Sequence, residues 1–251
     1  MKECYEKLTV THGTNREDKD WFEKQVKIIM SIGKEKLRKA EDKDFYFDEP
    51  NRKLIEFLIY YFNDDVRAKN IFPEKEYDLT KNIMIYGGLG VGKNTLMDIF
   101  QQYLSYINKI NKHVSEYADV EYVPQKEYFE SIDVTGLFDY YKMHDDFGEY
   151  SHNYKDVSFP GATKSMPRPK NMCLNDLGFN LGEKHFGNTS KDIFNNFLMM
   201  RAELHRRYGK KTHVTTNYLM DELRNNFFCD RLWDRSRNLY NILYMYGGSK
   251  R

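Results

Sequence analysis

Residues 87–93, Gly-Gly-Leu-Gly-Val-Gly-Lys, have the types and spacing to hold a phosphate. The apolar run 83–86 precedes them, and an apolar-periodic segment follows. The order is that of strand, glycine loop and helix, close to the P-loop G-x-x-x-x-G-K-[ST]. Glycines let the backbone pass through positive φ and bring its N–H groups near an anion. The helix that follows points its N-terminus at the same anion. Lys93 is placed to reach the β- and γ-phosphates of a nucleotide. The next position ordinarily carries a hydroxyl for Mg²⁺, but here it is Asn94, and the hydroxyl comes one residue late, at Thr95. Gly87, Gly88, Leu89, Gly90, Val91, Gly92, Lys93, Asn94 and Thr95 are therefore the expected nucleotide-binding stretch, for ATP or ADP with Mg²⁺.

A second chemical landmark lies at 171–178, NMCLNDLG. The strand 172–174 ends in Asn175 and Asp176. With a P-loop upstream, a carboxylate at such a strand end faces the nucleotide and serves the metal or the attacking water. Asn94, Asn175 and Asp176 are the expected metal-facing residues. A third strand, 212–217 (THVTTN), ends in polar residues at the same edge. Near the C-terminus stand Arg231, Arg235 and Arg237, then Lys250 and Arg251. Arginines of this kind either stabilise charge on a transferred phosphoryl group or form a solvated basic face.

The bulk properties bound the partners. The chain has 251 residues and a formal net charge of +1, so no global field attracts nucleic acid. Its length allows one α/β domain, or one plus a small helical appendage. Aromatics make up 16% of the residues, enough to build a core despite the many charges. Cys4, Cys173 and Cys229 form no C-x-x-C pair, which argues against a finger-type zinc site and suits a reducing cytoplasm. The N-terminus is charged and lacks an apolar signal core, and no segment has the length to span a bilayer.

The positioning elements follow from periodicity. A helix from about residue 18 carries Phe22, Val26, Ile29 and Ile32 on one stripe; Gly33 either ends or interrupts it, and 34–44 extends it with a solvated face. Pro50 opens a second helix with Leu54, Phe57, Leu58, Tyr61 and Phe62 at helical spacing, closed by Phe72-Pro73. The P-loop helix is expected over 96–107, with 111–127 ambiguous. Residues 128–134 read as a strand, 137–143 as a short helix, and 144–170 as a loop with short inserted elements. A long helix covers 190–207, ending in Arg206, Arg207, Lys210 and Lys211. That end is read as a favourable cationic C-terminus in preference to a DNA patch. A helix over 231–239 and a strand over 241–245 complete the chain.

Taken together, GGLGVGKNTL, CLNDLG, THVTTN and DRLWDRSRNLYNILYMYGGSKR resemble the DnaC/IstB-like AAA+ ATPases, the helicase loaders and transposition-helper ATPases. The resemblance covers about 75–251. It implies an α/β P-loop AAA+ fold, a three-layer sandwich around a central parallel sheet. A small helical region at 1–74 precedes it and is a possible partner-binding element. It implies Lys93 on the phosphates, Asp176 at the water-activating position and Asn217 helping to hold that water. Arg231, then Arg235, is the finger acting on a neighbour's nucleotide, and Arg251 is a sensor 2 group. A cytoplasmic homo-oligomer on DNA, single-stranded above all, with a replicative helicase or a transposase as partner, is what the family would make of these motifs. Two departures stand out. The hydroxyl after the lysine is Asn94, and the first acid of the acidic pair is Asn175. Both predict nucleotide binding with weak hydrolysis, unless Asp176 takes over the metal. The competing reading is a degenerate module that uses ATP or ADP as a structural ligand. A small-molecule kinase shares the P-loop but fits the arginine-rich ending poorly.

Overall fold

The computed structural model describes residues 16–41, 45–46, 48–117, 126–151, 169–179 and 182–248. The chain divides into two compact units. The expected roles of Lys250 and Arg251 fall outside the described residues.

The first unit takes residues 1–79, 95–128 and 245–247. Helix α1, Arg16–Glu41, buries Phe22, Val26 and Ile29, the stripe that the periodicity selects. Gly33 neither ends nor interrupts it. A Cβ at Gly33 would come within 2.3 Å of the Phe45 ring, so the glycine makes room for an aromatic and the helix continues through it. Helix α2, Arg52–Phe62, buries Leu54, Phe57, Leu58, Tyr61 and Phe62, and the single turn α3, Ala68–Ile71, follows it. Helix α4, Lys93–Tyr117, grows out of the glycine loop and is far longer than expected. Its Tyr103 hydroxyl donates to Gln25 Oε1 on α1 at 2.7 Å and accepts from Asn63 Nδ2 at 2.8 Å. A buried polar group is costly unless paired, so this junction fixes how α1, the end of α2 and α4 meet.

The second unit takes residues 80–94, 129–244 and 248–251. Its frame is a parallel sheet of β1 (Asn82–Tyr86), β2 (Glu130–Asp133), β3 (Met172–Asn175), β6 (Thr212–Thr216) and β7 (Tyr240–Tyr244). The spatial order is β2-β3-β6-β1-β7. Every pairing is parallel. Helices flank this sheet, as the α/β expectation required. Its core joins Met84, Leu174 and Val214 of the strands to Leu137, Phe138, Phe194, Phe197 and Leu232 of the helices.

Some boundaries differ from the sequence expectation. The strand expected over 128–134 is only β2, and helix α5, Val134–His144, starts three residues earlier than expected. The cause is Asp133, whose carboxylate accepts the Gly136 N–H at 2.7 Å and caps the helix. A small hairpin, β4 (Lys184–His185) with β5 (Asn188–Thr189), was not anticipated. Helix α6, Ser190–Tyr208, opens on a capping box between Thr189 and Asp192 and closes at Gly209 with φ 66°. After β6 come α7, Met220–Glu222, and a wide helical turn over Leu223–Phe227. Helix α8, Asp230–Leu239, then leads into β7. Among the described residues no helix is long and apolar enough to cross a membrane.

Candidate nucleotide-binding site

The strand order builds the site. Strand β6 lies between β3 and β1, so the ends of all three reach one edge side by side. In register, Thr215 lies opposite Ile85 and Thr216 opposite Tyr86. Beyond β1 the backbone turns through Gly87, Gly90 and Gly92 with φ of 158°, 75° and 100°. At Gly90 and Gly92 these are values that a side chain disfavours. Helix α4 then begins at Lys93.

Lys93 is only 4% exposed. Its ammonium donates to Gly87 O at 2.9 Å, Gly88 O at 2.7 Å and Asn217 Oδ1 at 2.7 Å, one acceptor for each proton. Burial holds its pKa below the ordinary lysine value, and the negative charge of Asp176 offsets part of that shift. Every partner except Asp176 is neutral, so the pocket holds a cation with little local counter-charge. An incoming phosphate would supply that charge.

Asp176 stands one residue past β3 with φ 58°, a left-handed conformation that aspartate tolerates better than most residues. The turn aims its carboxylate toward the P-loop helix. Asn94 Nδ2 donates to Asp176 Oδ2 at 2.7 Å, and Asn217 Nδ2 approaches Asp176 Oδ1 at 3.5 Å. The other face of the Asn94 amide accepts the Thr215 hydroxyl at 2.6 Å. Thr215 Oγ1 in turn accepts the Asp176 N–H at 3.1 Å. Asn175 is 7% exposed. Its Nδ2 donates to Ser131 Oγ at 2.8 Å, which leaves Oδ1 turned toward Thr215 at 3.4 Å.

Lys93, Asn94, Asn175, Asp176 and Asn217, chosen on sequence, are thus joined in one hydrogen-bonded network. Thr95 is one step further round the helix, about 100° away, and its hydroxyl makes no hydrogen bond among the described residues. Arg231 and Arg235 are not part of the network. They lie on α8, where Arg231 is exposed and Arg235 half-buried, and among the described residues neither side chain makes a hydrogen bond or ion pair. At the end of α6, Arg206 and Arg207 pair with Glu203, and Lys211 Nζ donates to Thr80 O at 2.6 Å.

Sequence reasoning missed Thr215 and Ser131. THVTTN carries a signal that finds the first: in a parallel strand whose last residues reach the site edge, alternate side chains share a face, so Thr215 and Asn217 point the same way. Ser131 had no such signal, because its place beside Asn175 depends on β2 pairing with β3.

The described residues contain no group of three or more His, Cys, Asp and Glu side chains arranged for a metal. The network nevertheless offers oxygen donors, one carboxylate at Asp176, amide oxygens at Asn94 and Asn175, and the Thr215 hydroxyl, with the Cys173 thiol behind them donating to Asn175 Oδ1 at 3.5 Å. That set suits Mg²⁺ in donor type but brings a single negative charge.

No protein-family model matches the sequence, and no curated protein matches it. Solved structures do. The chain is similar to DnaI, with a TM-score of 0.47 and 19% identity over 90% of this chain and 93% of that one. It is similar to the DnaC helicase loader, with a TM-score of 0.44 and 16% identity over 82% and 95%. AMPPCP-bound DnaA from Aquifex aeolicus gives a TM-score of 0.42 and 15% identity over 80% of this chain. The chain spans 48% of that DnaA chain, about half its length.

Proposed function

We propose that this protein binds ATP or ADP at residues 87–95 and acts as an AAA+ nucleotide switch of the helicase-loader type. The observation that carries the reading is the buried Lys93 ammonium, held by two glycine-loop carbonyls and Asn217 beside the Asp176 carboxylate. An isolated glycine turn has no need of a desolvated cation linked to two neighbouring strand ends. Lys93 and the loop N–H groups bind the phosphates. Asn217 positions Lys93 and, with Asn94, orients the Asp176 carboxylate. When bound, Mg²⁺ would neutralise charge developing on the phosphates; Asn94, Asn175 and Asp176 are the residues that would hold it. Asp176 is the proton acceptor for the attacking water.

Arg231 is the finger offered to a neighbouring subunit's nucleotide. Its exposure, and the lack of a partner for it among the described residues, suit that use. A finger supplied in trans needs a head-to-tail oligomer, as a ring or an open spiral. Within this reading the protein assembles on DNA, single-stranded above all, and delivers or regulates a replicative helicase or a transposase. The N-terminal helices are the partner-binding element.

A second reading is favoured by one contact. The Asn94–Asp176 hydrogen bond occupies the carboxylate with a neutral donor at the position of the missing hydroxyl. This suits a module that holds nucleotide and hydrolyses it slowly. ATP turnover with and without single-stranded DNA, with oligomeric state followed in parallel, separates the two. DNA-stimulated hydrolysis by an oligomer supports the switch. Tight nucleotide binding by an inert monomer supports the module.

A further inference from the structure

We propose that Thr215 supplies the hydroxyl oxygen for the divalent cation that the residue after Lys93 lacks. The inference rests on the nucleotide-binding reading above. Three observations support it. Thr215 is fully buried on β6, between the strand that ends in Asp176 and the strand that feeds the glycine loop. Its Oγ1 meets both departures from the usual P-loop chemistry: it lies 2.6 Å from Asn94 Oδ1 and 3.4 Å from Asn175 Oδ1. It also accepts the Asp176 N–H at 3.1 Å, which holds the acid in its left-handed turn.

A hydroxyl has one proton and two lone pairs. The proton goes to one amide oxygen and the Asp176 N–H takes one lone pair. The second lone pair is left for a metal beside the amide oxygens of Asn94 and Asn175, with the Asp176 carboxylate bonded to the nitrogen of the same Asn94 amide. The loop hydroxyl has not simply been lost. An oxygen of the same chemistry reaches the same cluster from the neighbouring strand, and Asn94, longer than serine or threonine, bridges to it. Thr95 cannot substitute, because it projects from a different face of α4.

The test reads nucleotide affinity with Mg²⁺ and with EDTA, on the full chain. The wild type gains affinity with Mg²⁺. In Thr215→Val that gain, read as the ratio of affinity with Mg²⁺ to affinity in EDTA, falls about tenfold, the usual scale for losing one group around a metal. Thr215→Ser keeps the gain. Asn94→Thr, added to Thr215→Val, restores it by returning the hydroxyl to the loop. Thr215→Cys keeps the size of the side chain and safeguards the test if the valine variant does not fold. A thiolate prefers softer ions, so this variant loses the Mg²⁺ gain and recovers it with Cd²⁺, a preference that the wild type lacks. A Thr215 that only supports the turn gives another result: equal loss with and without Mg²⁺, no Cd²⁺ recovery and no rescue by Asn94→Thr. Any of these, or an unchanged Mg²⁺ gain in Thr215→Val, overturns the proposal. A wild type that binds nucleotide equally in Mg²⁺ and EDTA overturns it too and leaves the nucleotide site standing. A wild type that binds in neither condition overturns the nucleotide reading itself.

Discussion

The side-chain amide of Asn94 donates to the carboxylate of Asp176 at 2.7 Å. These residues are 82 positions apart. The bond joins the start of the P-loop helix to the end of a central strand, across the width of β6. Only one orientation of the amide serves both neighbours: nitrogen toward the carboxylate, oxygen toward the Thr215 hydroxyl. The contact holds the acid in place, and it also engages an oxygen that the proposed hydrolysis would use.

Restoring the usual residues should therefore release Asp176. Asn94→Thr removes the amide donor, and Asn175→Asp adds the second negative charge. We expect the double variant to turn over ATP on the order of tenfold faster than the wild type, in line with the effect of groups around a catalytic metal. Steady-state phosphate release checks this. No gain in the double variant would contradict weakened hydrolysis as the meaning of Asn94 and Asn175.

Arg231 makes a prediction about subunits. On the proposed trans role, Arg231→Ala should leave nucleotide affinity within about twofold and lower turnover on the order of a hundredfold, the scale on which arginine fingers act on the transition state. Mixing Arg231→Ala subunits with Lys93→Ala subunits should recover activity, because the first has an intact loop and the second an intact arginine. Mixtures as inactive as their parts would remove the trans role.

His213 sets an acid limit on stability. Buried on β6, its Nδ1 accepts the Ile83 N–H at 3.0 Å, and its ring lies edge-on to Phe129 at 5.0 Å. Burial holds its pKa well below the ordinary 6.5, and Lys211 pushes the same way. The folded state thus keeps the ring neutral where the unfolded chain takes up a proton. The stabilisation is complete above 6.5 and is lost as pH falls below it, at up to about 1.4 kcal/mol per pH unit. Urea midpoints measured from pH 7.5 to 5 test this. His213→Asn offers an oxygen in place of Nδ1 and does not titrate, so its pH dependence should be shallower by about one proton. An equal slope would place the acid sensitivity elsewhere, with half-buried His205, shifted in the same direction, as the next residue to examine.

The glycine loop, the strand ends and the apolar stripes were legible because each is a local pattern: a spacing, a run or a period. Lys93, Asp176 and Asn217 converge as their motifs implied, since a parallel sheet brings strand ends to one edge. What escaped depended on pairing across the sheet or on packing. Thr215 shares a strand face with Asn217, but its reach to both Asn94 and Asn175 comes from β6 lying between β1 and β3, an order that no single stretch encodes. Gly33 looked like a helix breaker, yet it is a seat for Phe45. Arg201, 1% exposed and unremarked in the sequence, donates to the carbonyls of Tyr150, Lys170 and Lys211 and to Thr212 Oγ1. Its charge reads as solvated surface, although its place four residues after Phe197 and three before Leu204 puts it on the buried face of α6.

The central claim is that the buried Lys93 ammonium is a phosphate site. Equilibrium titration of ATP against the wild type and Lys93→Ala tests it most directly, with thermal melting run alongside to confirm that both are folded. The wild type should bind ATP saturably and Lys93→Ala at least about a hundredfold more weakly, the loss expected when a charge-assisted contact to a phosphate is removed. Equal affinity in the two folded proteins, or no binding by the wild type, would contradict the claim.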